Sequence, residues 1–164
     1  MLVFPNIYIY PVHVTLVKVM NFKVEVHTKI GRPIAEVFDA VVNPEKAKAY
    51  FASGGVSAPM VEGGNVIWKF KGISFQQNMK VRNLVENRRI ELDWFTEEGK
   101  MTYVTITFDK INENRTMVTI LHTGYEENLK GLEDSYSHCE GWTVMLVSMK
   151  GYLEQGVVVT EDYW

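Results

Sequence analysis

Residues 131–155 read GLEDSYSHCEGWTVMLVSMKGYLEQ, and this stretch decides the fold. Trp142, Met145, Leu146, Met149 and Leu153 fall at i, i+3, i+4, i+7 and i+11, the spacing that places apolar side chains on one stripe of an α-helix. Carried back toward the N-terminus, the same side holds Ser135, His138 and Cys139, so an oily face turns polar in its first two turns. Gly156 supplies the stop, because the residue past a helix end often takes the left-handed conformation. Gly141, beside Trp142, suggests a close backbone approach, since glycine inside a helix otherwise costs about 1 kcal/mol relative to alanine. A helix with one buried stripe needs a matching surface, and nearly everything upstream reads as strand.

Working outward, residues 22–30 alternate: Phe22, Val24, Val26, Thr28 and Ile30 face one way, and Lys23, Glu25, His27 and Lys29 the other. That is a half-buried strand, with His27 among surface charges. Gly31 closes it. Pro33 suits the first turn of a helix running to about Val42, with Ile34, Val37, Phe38 and Val41 as its apolar face. Asn43-Pro44 breaks that helix and starts a second, short one through Tyr50 and Phe51. Residues 52–65 read as loop, and neither Gly-Gly pair there has the following Lys-Ser/Thr of a phosphate loop. Strands follow at Val66–Phe70, Phe75–Val81, Ile90–Trp94, Thr102–Phe108 and Val118–His122, joined by short turns and so paired antiparallel.

At 164 residues, one domain with a sizeable core is expected. A net charge of −3 gives no basic footprint for nucleic acid or acidic lipid. Cys139 is the only cysteine, which excludes an internal disulfide and suits a reducing cytoplasm. Residues 1–19 are apolar but interrupted by Pro5 and Pro11, without a basic leader or cleavage site, so neither signal peptide nor membrane span is expected. Met20 is the expected natural start. The expected organisation is an N-terminal extension (1–19) that is dispensable or covers an apolar surface such as Val144 and Val147, a domain (20–156) and a C-terminal tail (157–164).

One strand, two short helices, a run of antiparallel strands and a long closing helix make an α+β layout: a curved sheet wrapped around the C-terminal helix. The row facing the space between them is Trp68, Phe75, Gln77, Met79, Trp94, His122, Trp142 and Met145, with His138 added from the helix. An apolar lining with a few polar groups is the usual form of a small-molecule site, and three indoles suit a flat or aromatic guest.

The residues Gly31-Arg32-Pro33, Val37-Phe38-Asp39-Ala40, Asn43-Pro44, then Glu62 to Phe70 (EGGNVIWKF), and Glu140-Gly141-Trp142 with Leu146 and Leu153 resemble the helix-grip, START-like (SRPBCC) superfamily. Within it they are most similar to the branch related to the C-terminal domain of the activator of the heat-shock protein 90 ATPase. The resemblance covers about Met20 to Gln155 and implies a helix-grip fold with a deep cavity under the closing helix. It implies little about activity, because the superfamily includes lipid carriers, hormone receptors, cyclases and chaperone activators. Many relatives carry Trp where this chain has Tyr50-Phe51, a change at the cavity mouth.

Other residues read as structure. His122 ends an otherwise apolar row and is either a core histidine satisfied by a partner or a donor that orients a ligand. His138 and Cys139 are helix neighbours that point apart, and no further ligand stands at metal spacing, so no metal site is expected. Cys139 on the buried side reads as a small hydrophobe, and a Cys139–His122 pair lacks any third orienting group. Glu126, Glu127, Glu133 and Asp134 complement the positive end of the long helix.

The expected function is therefore a non-enzymatic binding module for a small hydrophobic or aromatic molecule, with Trp68, Phe75, Gln77, Met79, Trp94, His122, His138, Trp142 and Met145 as the ligand-binding set and no cofactor. The alternative is a chaperone-interacting protein like the heat-shock ATPase activators. Without the additional N-terminal domain those activators carry, two-site engagement of a chaperone dimer is not expected. A cyclase- or dehydratase-type enzyme using His122 as acid or base ranks third, since no acid–base pair stands out.

Overall fold

The computed structural model describes residues 21–160. Seven strands form one antiparallel sheet: β1 (Val24–Ile30), β2 (Gly55–Val56), β3 (Asn65–Lys69), β4 (Gln76–Val85), β5 (Arg89–Phe95), β6 (Met101–Asn112) and β7 (Arg115–Thr123). Their order across the sheet is β1-β7-β6-β5-β4-β3-β2. Hairpin follows hairpin from β2 to β7, and β1 then adds to the far edge beside β7, with Val24 opposite His122 and Ile30 opposite Thr116. The sheet curls into a half-barrel, and register shifts at Val81/Asn83 and Lys110/Asn112 interrupt its two longest strands. Such irregularities bend a strand and tighten its twist.

The helices fill the concave side. α1 (Ile34–Val42) and α2 (Pro44–Tyr50) meet at Asn43, whose backbone is extended (φ −84°, ψ 119°) as the residue before a proline must be. That one residue ends α1 and caps α2, its side chain accepting the Glu45 N–H at 3.1 Å. α3 (Leu129–Gln155) is the long helix. It starts two residues before the expected point, because the Asn128 side chain caps it by accepting the Gly131 N–H at 2.9 Å. Gly131 is required there: a Cβ at that position would sit 1.9 Å from the Glu126 carbonyl oxygen. At the other end Gly156 takes the left-handed conformation (φ 69°).

The apolar stripe holds, with Trp142, Met145, Leu146, Met149 and Leu153 all buried against the sheet. Strand alternation is equally plain, for example Ile90, Leu92 and Trp94 inward in β5 and Val118, Ile120 and His122 inward in β7. The helix C-terminus is tied to the end of β1 through Glu154, which accepts the Gly31 N–H at 2.5 Å and a bond from Lys150 Nζ at 2.6 Å. Thr160, in the stretch read as a tail, is buried and donates its hydroxyl to the Tyr50 carbonyl at 2.9 Å.

Several expectations need correction. Residues 52–65 are not all loop, because Gly55 and Val56 pair with Lys69 and Trp68 as β2. Cys139 is exposed rather than buried, which also removes any pairing with the fully buried His122. Gly141 marks no close approach, since a Cβ there would meet open space. The acidic residues do not occupy the first turn of α3. Glu126 instead pairs with Lys100, and Asp134 with Lys130. Pro33 stands at the N-cap position of α1, just before its first turn. Residues 1–19, and with them the extension and the Met20 start, lie outside the described residues.

Candidate functional site

Between the open half of α3 and the sheet lies a half-open cleft of about 290 Å³. Four segments build it. Phe51 ends the α2 region, and Phe70 and Ile73 come from the β3–β4 turn. Phe75 and Gln77 lead into β4, Trp94 comes from β5, and Ser137, His138, Glu140, Gly141 and Trp142 come from α3. Phe70 and Phe75 lie nearly parallel, with ring centroids 6.5 Å apart, and Trp94 and Trp142 stand 4.8 Å apart behind them. Gly141 is part of the lining, and a Cβ there would meet nothing within 4 Å.

The cleft continues into a second, polar space of about 660 Å³ that shares Phe75, Gln77, Ser137 and His138 as walls. The β5–β6 turn contributes Glu97, Glu98 and Lys100 to it, and Tyr125, Glu126, Lys130 and Asp134 close the other side. Four carboxylates thus face two ammonium groups, and the rim is acidic.

Of the nine residues expected to bind a ligand, Phe75, Gln77, Trp94, His138 and Trp142 line the cleft. Trp68, Met79, His122 and Met145 are placed behind that wall and are almost completely buried. Trp68 packs edge-on against Phe51, Trp94 and Trp142, filling the interior. Its indole N–H and that of Trp94 have no hydrogen-bond partner among the described residues. The lining residues Phe51, Phe70, Ile73, Ser137, Glu140 and Gly141 were not in the expected set. Phe70 has a signal in its alternation with Val66 and Trp68, and Phe51 in the Tyr50-Phe51 change at the expected cavity mouth; the other four carry none that points to a cleft.

His122 is held by a complete relay. The Trp142 indole Nε1–H donates to His122 Nδ1 at 3.1 Å. The ring proton therefore sits on Nε2 and is donated to Thr102 Oγ1, 2.7 Å away. The Thr102 hydroxyl in turn donates to the Trp94 carbonyl at 3.2 Å. Burial, with His138 nearby, pushes the His122 ring down to about 2, so it is neutral at any ordinary pH. Every polar atom of this ring is used within the core.

His138 is different. Its Nδ1 lies 3.0 Å from the Tyr125 hydroxyl, and its ring centroid is 4.4 Å from that of His122. Burial lowers it to about 4, against the opposing pull of Asp134. Burial also drives the Tyr125 phenol far above its ordinary value, so it stays protonated. Gln77 is nearly buried, and its amide nitrogen donates to the carbonyls of Asn78 and Phe95 at 2.8 and 2.9 Å. Those two acceptors fix which end of the amide is which. Among the described residues no three His, Cys, Asp or Glu side chains are grouped to hold a metal ion. No helix in the described residues is long and apolar enough to cross a membrane.

A comparison with curated proteins finds no match. Solved structures do resemble the chain. Protein SSP2350 from Staphylococcus saprophyticus has a TM-score of 0.70 at 24% identity, over 84% of this chain and 96% of that one. The Aha1 dimer from Colwellia psychrerythraea gives 0.70 at 20% identity, over 82% and 98%. An HSP90 activator from Plasmodium falciparum gives 0.64 at 19% identity, over 82% and 96%. At these identities the likeness is one of fold, the helix-grip architecture implied by the sequence resemblance. Residues 32–154 match the model of the family described as Activator of Hsp90 ATPase homolog 1-like protein, and the chain belongs to that family.

Proposed function

We propose that residues 20–156 form a non-enzymatic binding module that takes a small, largely apolar molecule in the cleft between β4, β5 and α3. The observation that carries this reading is the cleft itself: aromatic walls from four separate segments, open at Gly141, with Gln77 and His138 as convergent polar groups. Sites of this composition are typical of small-molecule binding, and about 290 Å³ lies at the small end of their range. Catalysis has little support, because His122, the best acid–base candidate in the sequence, has both ring nitrogens engaged in the core. A cytoplasmic setting is consistent with one free, exposed cysteine.

Titrating tryptophan fluorescence with naphthalene-sized aromatics tests the reading, because Trp94 and Trp142 line the cleft. A saturable change is expected. No change, together with no heat in calorimetry, removes it.

Contact with an Hsp90-type chaperone is the second reading, supported by family membership and by the named activity of the Plasmodium relative. Its test is the ATP turnover of a purified Hsp90 with and without this protein. Unchanged turnover and no association would remove that reading without touching the first.

A further inference from the structure

The cleft reading above leaves the chemistry of the guest open, and two atoms narrow it. Gln77 is 2% exposed, and both of its amide hydrogens are spent on backbone carbonyls. Its Oε1 has no partner among the described residues, yet it is not among the buried atoms that lack one. That oxygen therefore reaches open space, and the spaces Gln77 lines are the cleft and its polar continuation. It offers an acceptor and nothing else.

His138 supplies the complement. The Tyr125 hydroxyl lies 3.0 Å from His138 Nδ1, its one protein acceptor among the described residues, and the arrangement that uses this acceptor has the hydroxyl donating. The ring proton is then on Nε2. By the same reasoning as for Gln77, Nε2 is neither bonded to the described protein nor buried without a partner, so it faces the shared part of the two spaces. It offers a donor.

We infer that the cleft selects a flat, uncharged aromatic that carries a hydrogen-bond donor and an acceptor side by side, as in a lactam or a hydroxy-ketone, and that it rejects carboxylates. This rests on the cleft-binding reading. The guest's N–H or O–H bonds to Gln77 Oε1, its carbonyl accepts from His138 Nε2, and its ring lies among Phe75, Trp94 and Trp142. A guest without the donor leaves the Gln77 oxygen desolvated and unpaired, which is where discrimination arises. An anionic guest meets the acidic rim of Glu97, Glu98, Glu126 and Asp134, with Lys100 and Lys130 already engaged in ion pairs.

Calorimetric titration of the full chain with five probes tests this: 2-quinolinone, 4-methyl-2-quinolinone, 1-methyl-2-quinolinone, naphthalene and 2-naphthoate. The first two keep the lactam N–H, and the 4-methyl compound controls for bulk. They are expected to bind about tenfold or more tightly than the N-methyl compound and naphthalene, with 2-naphthoate weakest. Gln77→Met and His138→Phe should each abolish the preference. The ligand series in the unaltered protein decides the matter even where a variant fails to fold. If the N-methyl compound or naphthalene binds as well as 2-quinolinone, the donor–acceptor inference is overturned and the cleft reading stands. If 2-naphthoate binds best, the inference is overturned likewise. If none of the five binds, the cleft reading itself fails and takes the inference with it.

Discussion

Replacing His122 with leucine is the sharpest perturbation of the core. On composition alone the change looks mild, one inward residue for another of similar bulk. The relay says otherwise. The Trp142 N–H, buried and 3.1 Å from His122 Nδ1, loses its only acceptor among the described residues. An unpaired buried donor costs about 1–3 kcal/mol. Thr102 loses less, because its hydroxyl keeps the Trp94 carbonyl as acceptor. His122→Leu should therefore destabilise the fold by roughly 2–3 kcal/mol, a drop of roughly 4–10 °C in midpoint for a domain of this size. Urea and thermal unfolding followed by circular dichroism measure it. Adding Trp142→Phe removes the orphaned donor, so the double variant should lose about 1–2 kcal/mol less than the two singles added together. A single-variant effect below about 0.5 kcal/mol, or a His122 ring that titrates near pH 6.5 by NMR, would refute the relay.

Four further outcomes are expected. Trp142→Ala should cost about 3–5 kcal/mol in unfolding free energy, since the indole is 3% exposed and packs on Trp68 and Trp94; a loss under about 1 kcal/mol would mean the ring borders open space more than core. Gly141→Ala should raise stability by up to about 1 kcal/mol through helix propensity while weakening any cleft ligand, because its Cβ enters open space; Gly131→Ala should instead lower the melting midpoint sharply, its Cβ meeting the Glu126 carbonyl. Stability should also decline as pH falls below about 6.5, before most carboxylates protonate. Both histidines are lowered in the fold by burial, to about 2 for the buried His122 and about 4 for the half-buried His138. Below the unfolded histidine value near 6.5, the unfolded chain therefore binds more protons than the folded one, and stability is lost. A melting midpoint flat from pH 7 to 5 would contradict this.

Periodicity carried most of the fold. The five-residue stripe of α3 and the alternation in each long strand reflect burial on one face, which a sequence records directly. β2 escaped because two residues cannot show a period, and pairing with Lys69 and Trp68 is a tertiary event. Cys139 sits on the margin of the stripe, roughly 60° from Trp142 around the helix, and is exposed without lining either space. The close backbone approach expected at Gly141 is found at Gly131 for a related reason: a sequence marks where a side chain is missing but not whether backbone or empty space is beside it. The site was half legible. Inward alternation picks out Gln77 and Trp94, which line the cleft, yet it cannot tell a wall from what lies behind it, so it groups His122, Met79, Met145 and Trp68 with residues that reach the cleft. Which nitrogen of His122 bears the proton depends on an indole 20 residues away in sequence, and no local pattern encodes that.

The proposed binding site is the space between the sheet and the N-terminal half of α3, with a small aromatic guest as its occupant. Two-dimensional 1H–15N spectra of the labelled protein, titrated with 2-quinolinone, test it, because Trp94 and the stretches 75–77 and 137–142 line or adjoin that space. Saturable shifts confined to the signals of those residues are the predicted result. An unchanged spectrum at millimolar probe, or shifts centred on the outer face of α3 around Val147, would contradict the account.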